Sequence, residues 1–229
     1  RPPQSSPPAS PSHSPACRIK NLISTEFSLS HSYLAGDVSC SPPPVQHDNL
    51  ELHPTVASVC SSYGSTFKLL KHPQLMDYMA TSPQETVVSS VFLPIVSSCK
   101  SDPGLVIDMG TNDGMYAIAA ASIGCTLATF DPQSMCVDIF TRALLGFQEN
   151  ADFKHRVYAL NVAASAVPST MEASIDSCHG CYMTDGSVSC GGSEKQAGQW
   201  KRQKTIDSIN VEAVVQALGF KEVRLLHID

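Results

Sequence analysis

The sequence predicts an α/β fold built on a doubly wound, mostly parallel sheet, with a disordered Pro/Ser-rich tail at its N-terminus. Short apolar runs at residues 105–107, 126–130 and 157–160 alternate with stretches of helical character. Strands separated by helices favour parallel pairing with right-handed crossovers. Residues 1–14 contain many prolines and serines but no large apolar residue, so they cannot contribute to a core.

Composition divides the chain into three regions. We expect residues 1–46 to be a disordered tail, or alternatively a proline-motif ligand for a partner domain. Residues 47–100 are expected to form a helical region that packs on the core. Its last part, residues 83–99, predicts a helix with Ser82 as N-cap and Pro94 kinking or ending it. Residues 101–229 are expected to form the sheet domain.

Size and charge limit the possible partners. The 229 residues are 42% hydrophobic, which suits a globular core. The net charge of −6 argues against nucleic acid as the main partner, because phosphate neutralisation needs a basic face. No run approaches the roughly 18 apolar residues of a membrane-spanning helix. The nine cysteines leave both the cytoplasm and an oxidising compartment such as the secretory pathway open.

Residues 105–114, LVIDMGTNDG, organise the sheet domain. An apolar strand ends at Asp108, Gly110 and Gly114 bracket a tight turn, and residues 115–123 predict a helix. Glycines let a ligand approach the backbone closely, and a helix start offers N–H groups. The Gly-x-x-x-Gly spacing differs from the Gly-x-Gly-x-x-Gly of a dinucleotide fold. Asp108 would also repel a phosphate.

The second strand supports a nucleoside site. Residues 126–130 end at Asp131, which is followed by proline. An acidic side chain at the tip of the second strand binds a ribose diol in doubly wound folds. The alternative is that Asp131 only forms a strand-end turn.

The later elements continue the alternation. Residues 134–147 predict an amphipathic helix, and residues 157–160 a third strand that ends at Asn161. Asn210 and Gly219 are suited to cap a helix over 211–218. Residues 222–228 predict a fourth strand, with Asp229 at its tip.

The cysteines outside these elements favour a disulfide or loop thiols over a zinc site. Cys178, Cys181 and Cys190 lie in an irregular segment at residues 170–200, in which we expect a hairpin or a flexible insertion. These cysteines could belong to a zinc site, but a fourth ligand at the required spacing is missing. A disulfide or loop thiols are therefore favoured. Cys125 and Cys136 are expected to be buried small hydrophobic side chains.

Four segments in order resemble the FkbM family of S-adenosylmethionine-dependent methyltransferases. They are VIDMGTNDGMYAIAAASIGCTLATFDPQ at 106–133, LNVAAS at 160–165, TIDSI at 205–209 and LLHID at 225–229. The first is similar to the family's D-x-G-A-N-x-G turn, with an acidic residue and proline further on. The last is similar to the start of its K-I-D-V-E-G segment. Thr111 stands where the family has alanine, and His227 where it has lysine.

The resemblance implies a Rossmann-like methyltransferase sheet, S-adenosylmethionine as cofactor, and a small-molecule or glycan hydroxyl as acceptor. Because such a sheet has further strands, we expect the domain to be partial. The residues implied in cofactor binding are Asp108 and Gly110 at the methionine end, Asn112 and Gly114 in the turn, Asp131 at the ribose, and Asn161 and Val162 at the adenine. His227 or Asp229 is the candidate catalytic base.

Structural alternatives stand beside these roles. A partly buried structural histidine is favoured slightly over a base for His227, and for Asn112 a residue that tolerates a left-handed backbone is as well supported as a ligand contact. Asp207 is expected to cap or position a turn. The alternative functions are a non-catalytic or truncated remnant of the fold, an NAD(P)-dependent oxidoreductase, and an interaction protein that uses the tail. The acceptor and the oligomeric state stay open.

Overall fold

A five-stranded, mostly parallel sheet forms the centre of the protein. The computed structural model describes residues 14–23, 32–35, 56–62, 65–71, 83–112, 114–174, 181–184, 187–190 and 203–228. Within these residues there are five α-helices: α1 Pro15–Leu22, α2 Pro83–Ser97, α3 Met115–Ile123, α4 Ser134–Gly146 and α5 Val211–Leu218. The strands of the central sheet are β1 Tyr33–Leu34, β4 Leu105–Met109, β5 Thr126–Phe130, β6 Val157–Leu160 and β12 Val223–Ile228.

The strand order confirms a mixed α/β architecture. The order is β1-β6-β5-β4-β12, in which β1 is antiparallel to β6 and the other neighbours are parallel. The chain therefore runs outward from β4 through β5 to β6, and then returns to place β12 on the other side of β4. This reversal creates a topological switch point between β4 and β12.

Helices cover both faces of the central sheet. On one face α2, α3 and α4 pack against the side chains of Val106, Leu127 and Val157. On the other face α1 and α5 pack against Leu105 and Ile107. Because successive side chains of a strand point to opposite faces, both layers are apolar along the same strands.

Two smaller sheets complete the described part of the chain. Strands β7 Ala163–Ser165, β8 Thr170–Ser174, β9 Cys181–Thr184, β10 Ser187–Cys190 and β11 Gln203–Asn210 pair in the order β7-β11-β8-β10-β9. Strands β9 and β10 are antiparallel neighbours, which confirms the hairpin expected in this segment. Strands β2 Val56–Ser62 and β3 Ser65–Lys71 form a separate antiparallel hairpin.

Two expectations about the N-terminal regions are wrong in part. The disordered tail expected over residues 1–46 includes α1, which buries Ala16 and Ile19, and β1, which joins the sheet. Both are short segments whose order depends on packing, a signal that local composition does not carry. In residues 47–100 the helix of α2 is present and continues through Pro94, but β2 and β3 form a hairpin where helical structure was expected.

Four of the described cysteines, Cys17, Cys99, Cys125 and Cys136, are disulfide-bonded. Cys125 and Cys136 are fully buried as predicted, but both take part in disulfides. Cys125 is bonded to Cys99, which lies in the turn after α2. The bond ties the end of α2 to the start of β5, and so holds this helix against the sheet. Cys17 in α1 is also disulfide-bonded.

Capping residues explain where α3 and α5 begin and end. Gly114 precedes α3 with a φ of +83°, and a Cβ there would overlap the Phe140 ring of α4. Only glycine suits both constraints. At α5, the Asn210 side chain accepts a hydrogen bond from Ala213 N at 3.0 Å, and Gly219 follows the last turn with a φ of +84°. The predicted caps of α5 are therefore confirmed.

Candidate functional site

Polar side chains meet at the carboxyl ends of four parallel strands. Asp108 lies in β4, Asp131 follows β5, Asn161 follows β6 and His227 lies in β12. Because these strands are parallel, their carboxyl ends lie along one edge of the sheet. In open α/β sheets this edge, at the switch point, is where ligands bind. The fold thus brings together four of the residues that the sequence analysis selected.

The buried Asp108 and the partly buried His227 form a pair across the switch point. They are register partners in β4 and β12, and His227 Nδ1 lies 2.7 Å from Asp108 Oδ1. The other carboxylate oxygen of Asp108 accepts a hydrogen bond from Thr129 Oγ1 at 3.3 Å. Thr129 is in turn hydrogen-bonded to Thr111. This network thus holds both oxygens of the carboxylate, one through His227 and the other through Thr129.

Two aromatic rings surround His227. The Tyr116 ring of α3 lies 4.7 Å from the imidazole, centroid to centroid, and the Phe92 ring of α2 meets it edge-on at 5.7 Å. Phe92 is also buried in the core beside α3 and α4.

The glycine turn links the ends of β4 and β5. Gly110 has a φ of +86° and Asn112 a φ of +50°. The Gly110 N–H donates to Phe130 O at 2.9 Å, so it serves the strand pairing. The Asn112 N–H donates to Asp131 Oδ2 at 2.9 Å. Asn112 therefore adopts the left-handed backbone considered for it, and through that backbone it binds Asp131.

Asp131 is enclosed by backbone donors. Besides the Asn112 bond to Oδ2, its Oδ1 accepts from Gln133 N at 2.8 Å. The side chain is only 1% exposed. Burial raises the pKa of Asp131 to about 7, and the charge of Asp108 acts in the same direction, whereas the two backbone hydrogen bonds oppose the rise. The alternative role of Asp131 as a turn former is thus present in the structure.

Asn161, which follows β6, supports this enclosure. Asn161 Nδ2 donates to the backbone oxygen of Asp131 at 2.9 Å, and Asn161 N donates to Ser32 Oγ at 3.0 Å. Val162 is fully buried in the core layer that contains α1 and α5. Asn161 therefore lies next to Asp131, whereas Val162 is part of the core.

Two predicted positions stand apart from this group. Asp229 lies outside the described residues. Asp207 was expected to cap or position a turn, but it lies within β11 and is buried. The expectation was wrong because β11 continues through Asp207 as far as Asn210, which is the N-cap of α5.

Sequence reasoning missed two polar residues of the site. Thr129 bonds Asp108 from the neighbouring strand, and its signal was a polar residue inside an apolar strand. Gln133 bonds Asp131 through its backbone N–H, and its signal was its place two residues after an acidic strand end. Thr111, noted only as a departure from the family pattern, is the third link in the Asp108 network.

Other kinds of site find no support in the described residues. Within them, no group of three or more His, Cys, Asp or Glu side chains is arranged to hold a metal ion. None of the helices described above has the length and apolar character to cross a membrane. No family model and no curated protein matches this chain.

Proposed function

We propose that this chain is an S-adenosylmethionine-dependent methyltransferase that modifies a hydroxyl of a small-molecule or glycan acceptor. The observation that carries the proposal is the placement of Asp108 and Asp131 at the ends of neighbouring strands, beside the switch point and joined by a glycine turn. In doubly wound folds a carboxylate at the second position serves the ribose of a bound nucleoside. The FkbM-like motifs fall on these same elements.

The residues around Asp131 suit the nucleoside part of this cofactor. Each carboxylate oxygen of Asp131 uses one backbone N–H and retains further lone-pair capacity for a hydroxyl. Gln133 Oε1 is a buried acceptor without a partner in the part of the chain that the structure describes. Both side chains are almost fully buried, so ligand entry requires local opening at this edge of the sheet.

His227 is the residue suited to take the acceptor's proton. The cofactor supplies an activated methyl group on a sulfonium, so the protein's tasks are to orient the acceptor, exclude water and remove a proton. The Asp108 carboxylate favours the tautomer that carries the proton on Nδ1, which puts the basic lone pair on Nε2. His227 then takes the hydroxyl proton at Nε2, and Asp108 stabilises the imidazolium that forms.

The aromatic neighbours position this base. Contacts from Tyr116 and Phe92 restrict rotation of the imidazole. They also place apolar surface beside it, which limits the access of water to the reacting groups. The Thr129 hydrogen bond holds Asp108 from the opposite side. These contacts give a preorganised base on rigid strands rather than one on a loop.

Calorimetric titration of S-adenosylmethionine into the full chain tests the proposal. We expect saturable binding by the wild type that weakens at least about 10-fold in Asp131→Ala, since a charge-assisted hydrogen bond is lost. Asp152→Ala is the matched control, because Asp152 is an exposed aspartate on the loop before β6. Folding of each variant is checked by far-ultraviolet circular dichroism.

The same titration separates the competing functions. Absence of S-adenosylmethionine binding by a folded wild-type chain would contradict the proposal. Saturable binding of NADH in its place would favour the oxidoreductase. Cofactor binding without methyl transfer to any hydroxyl compound in a panel of sugars and small alcohols would favour the non-catalytic remnant.

A further inference from the structure

Three polar side chains of the site stand in one row across three neighbouring strands. His227 of β12 is the register partner of Asp108 in β4, and Asp108 is the register partner of Thr129 in β5. Register partners in parallel strands present their side chains to the same face of the sheet. Val106 and Leu127, which lie two residues before Asp108 and Thr129 in their strands, belong to the core layer under α2, α3 and α4. The row therefore lies at the end of an apolar layer.

The number of protons on each group sets the direction of the hydrogen bonds in this row. A carboxylate only accepts, so the Thr129 hydroxyl donates its single proton to Asp108 Oδ2, at 3.3 Å. In the bond between the two threonines the Thr111 hydroxyl must then be the donor and Thr129 Oγ1 the acceptor. On the other side of the carboxylate, His227 Nδ1 donates to Oδ1 at 2.7 Å. The result is a directed chain of donors that runs from Thr111 through Thr129 to Asp108.

Packing alone does not account for the two threonine hydroxyls. Thr129 is only 1% exposed and Thr111 only 5%. Valine has nearly the shape of threonine and would fill the same space without the cost of burying a hydroxyl. Thr129 also interrupts the apolar part of β5. The use that the structure shows for both hydroxyls is to supply donors to the buried carboxylate of Asp108.

We infer that Thr129 and Thr111 are positioning residues, which fix the tautomer of His227 through Asp108. The inference rests on the proposed function, in which His227 takes the acceptor's proton at Nε2. Thr129 holds Oδ2, so Oδ1 stays turned toward His227 and keeps the imidazole proton on Nδ1. Thr111 holds the Thr129 hydroxyl in its donating orientation. Loss of either hydroxyl leaves the carboxylate less restrained and weakens its hold on the imidazole.

Nitrogen nuclear magnetic resonance of the histidine rings tests the inference on the full chain without cofactor. At about pH 9, where imidazole is neutral, we expect wild-type His227 to carry its proton on Nδ1; His227→Gln identifies the signal. In Thr129→Val the ratio of the Nε2–H to the Nδ1–H tautomer should rise at least about 10-fold, since a hydrogen bond to a charged group is lost. Thr129→Ser restores the hydroxyl and should keep the wild-type ratio. Thr126→Val, the same substitution at the other end of β5, is the control.

A double substitution tests the direction of the chain. Thr111→Val should raise the tautomer ratio by less than Thr129→Val does, and should add nothing in the Thr129→Val background. An equal effect of Thr111→Val in both backgrounds overturns the chain, and an unchanged ratio in Thr129→Val overturns the inference. If Thr129→Val does not fold, an unchanged ratio in Thr111→Val overturns it.

The outcome stays distinct from that of the proposed function. The tautomer measurement uses no cofactor, whereas the proposed function is tested by the titration with S-adenosylmethionine. A wild-type His227 that carries its proton on Nε2 overturns the inference even where S-adenosylmethionine binds.

Discussion

The buried carboxylate of Asp131 should make the protein less stable as pH rises from 4 to 7. Burial raises the pKa of Asp131 from 3.8 to about 7. Between these values the folded state keeps a proton that the unfolded state releases. The contribution to stability is therefore complete below about pH 4 and is lost as pH rises through 7. A rise of roughly 3 pKa units corresponds to a change of roughly 4 kcal/mol in the free energy of unfolding.

Asp131→Asn removes this titration while keeping the size of the side chain. Its amide nitrogen must face one of the two backbone N–H donors that now bind the carboxylate. That mismatch lowers the free energy of unfolding of the variant by a similar amount at every pH. It therefore displaces the plot of unfolding free energy against pH without changing its slope. The difference in unfolding free energy between the wild type and Asp131→Asn should thus fall by up to about 4 kcal/mol between pH 4 and pH 8.

Urea unfolding at pH 4, 5, 6, 7 and 8, with the disulfides kept intact, measures this difference. The other carboxylates titrate equally in both proteins, so they cancel from the comparison. Asp152→Asn, at an exposed aspartate, should follow the wild type across the range. Plots of unfolding free energy against pH that run parallel for the wild type and Asp131→Asn would refute the reasoning. They would mean that Asp131 titrates alike in the folded and unfolded states.

Further predictions concern stability measured by urea unfolding at a fixed pH. Replacing Cys99 and Cys125 together by alanine should cost about 3.5 kcal/mol, given their sequence separation of 26 residues; a loss under 1 kcal/mol would contradict this. Gly114→Ala should cost at least about 2 kcal/mol, and less in a Phe140→Ala background where the overlap is relieved; equal costs in both backgrounds would exclude the overlap. Asn210→Ala should cost about 1 kcal/mol through loss of the α5 cap, and an unchanged midpoint would show that the cap contributes nothing.

The central elements were predictable because their signals are local. Helix α3, strands β5 and β6 and helix α5 have the bounds that the sequence indicated. Glycine or a capping residue marks both ends of α3 and of α5. Apolar runs of four or five residues between them correspond to buried parallel strands. The alternation of these elements then favoured the parallel pairing that the central sheet has.

The remaining features depend on contacts between distant parts of the chain. The pairing of Cys99 with Cys125 follows from the packing of α2 on the sheet, and a pairing cannot be read from cysteine positions alone. The ordering of α1 depends on its contact with the sheet and α5. The enclosure of Asp131 needs Asn112 from another strand end. Residue types suggested the acidic positions at the site, but not the network that holds them.

The central claim is that S-adenosylmethionine binds at the ends of β4 and β5. Amide nuclear magnetic resonance of the full chain, recorded during titration with S-adenosylhomocysteine, tests it most directly, because Asn112 N–H and Gln133 N–H both contact the Asp131 carboxylate. We predict saturable shifts of these two amide signals and none at Leu105, which lies at the amino end of β4. Absence of shifts, or saturable shifts confined to other parts of the chain, would contradict the account.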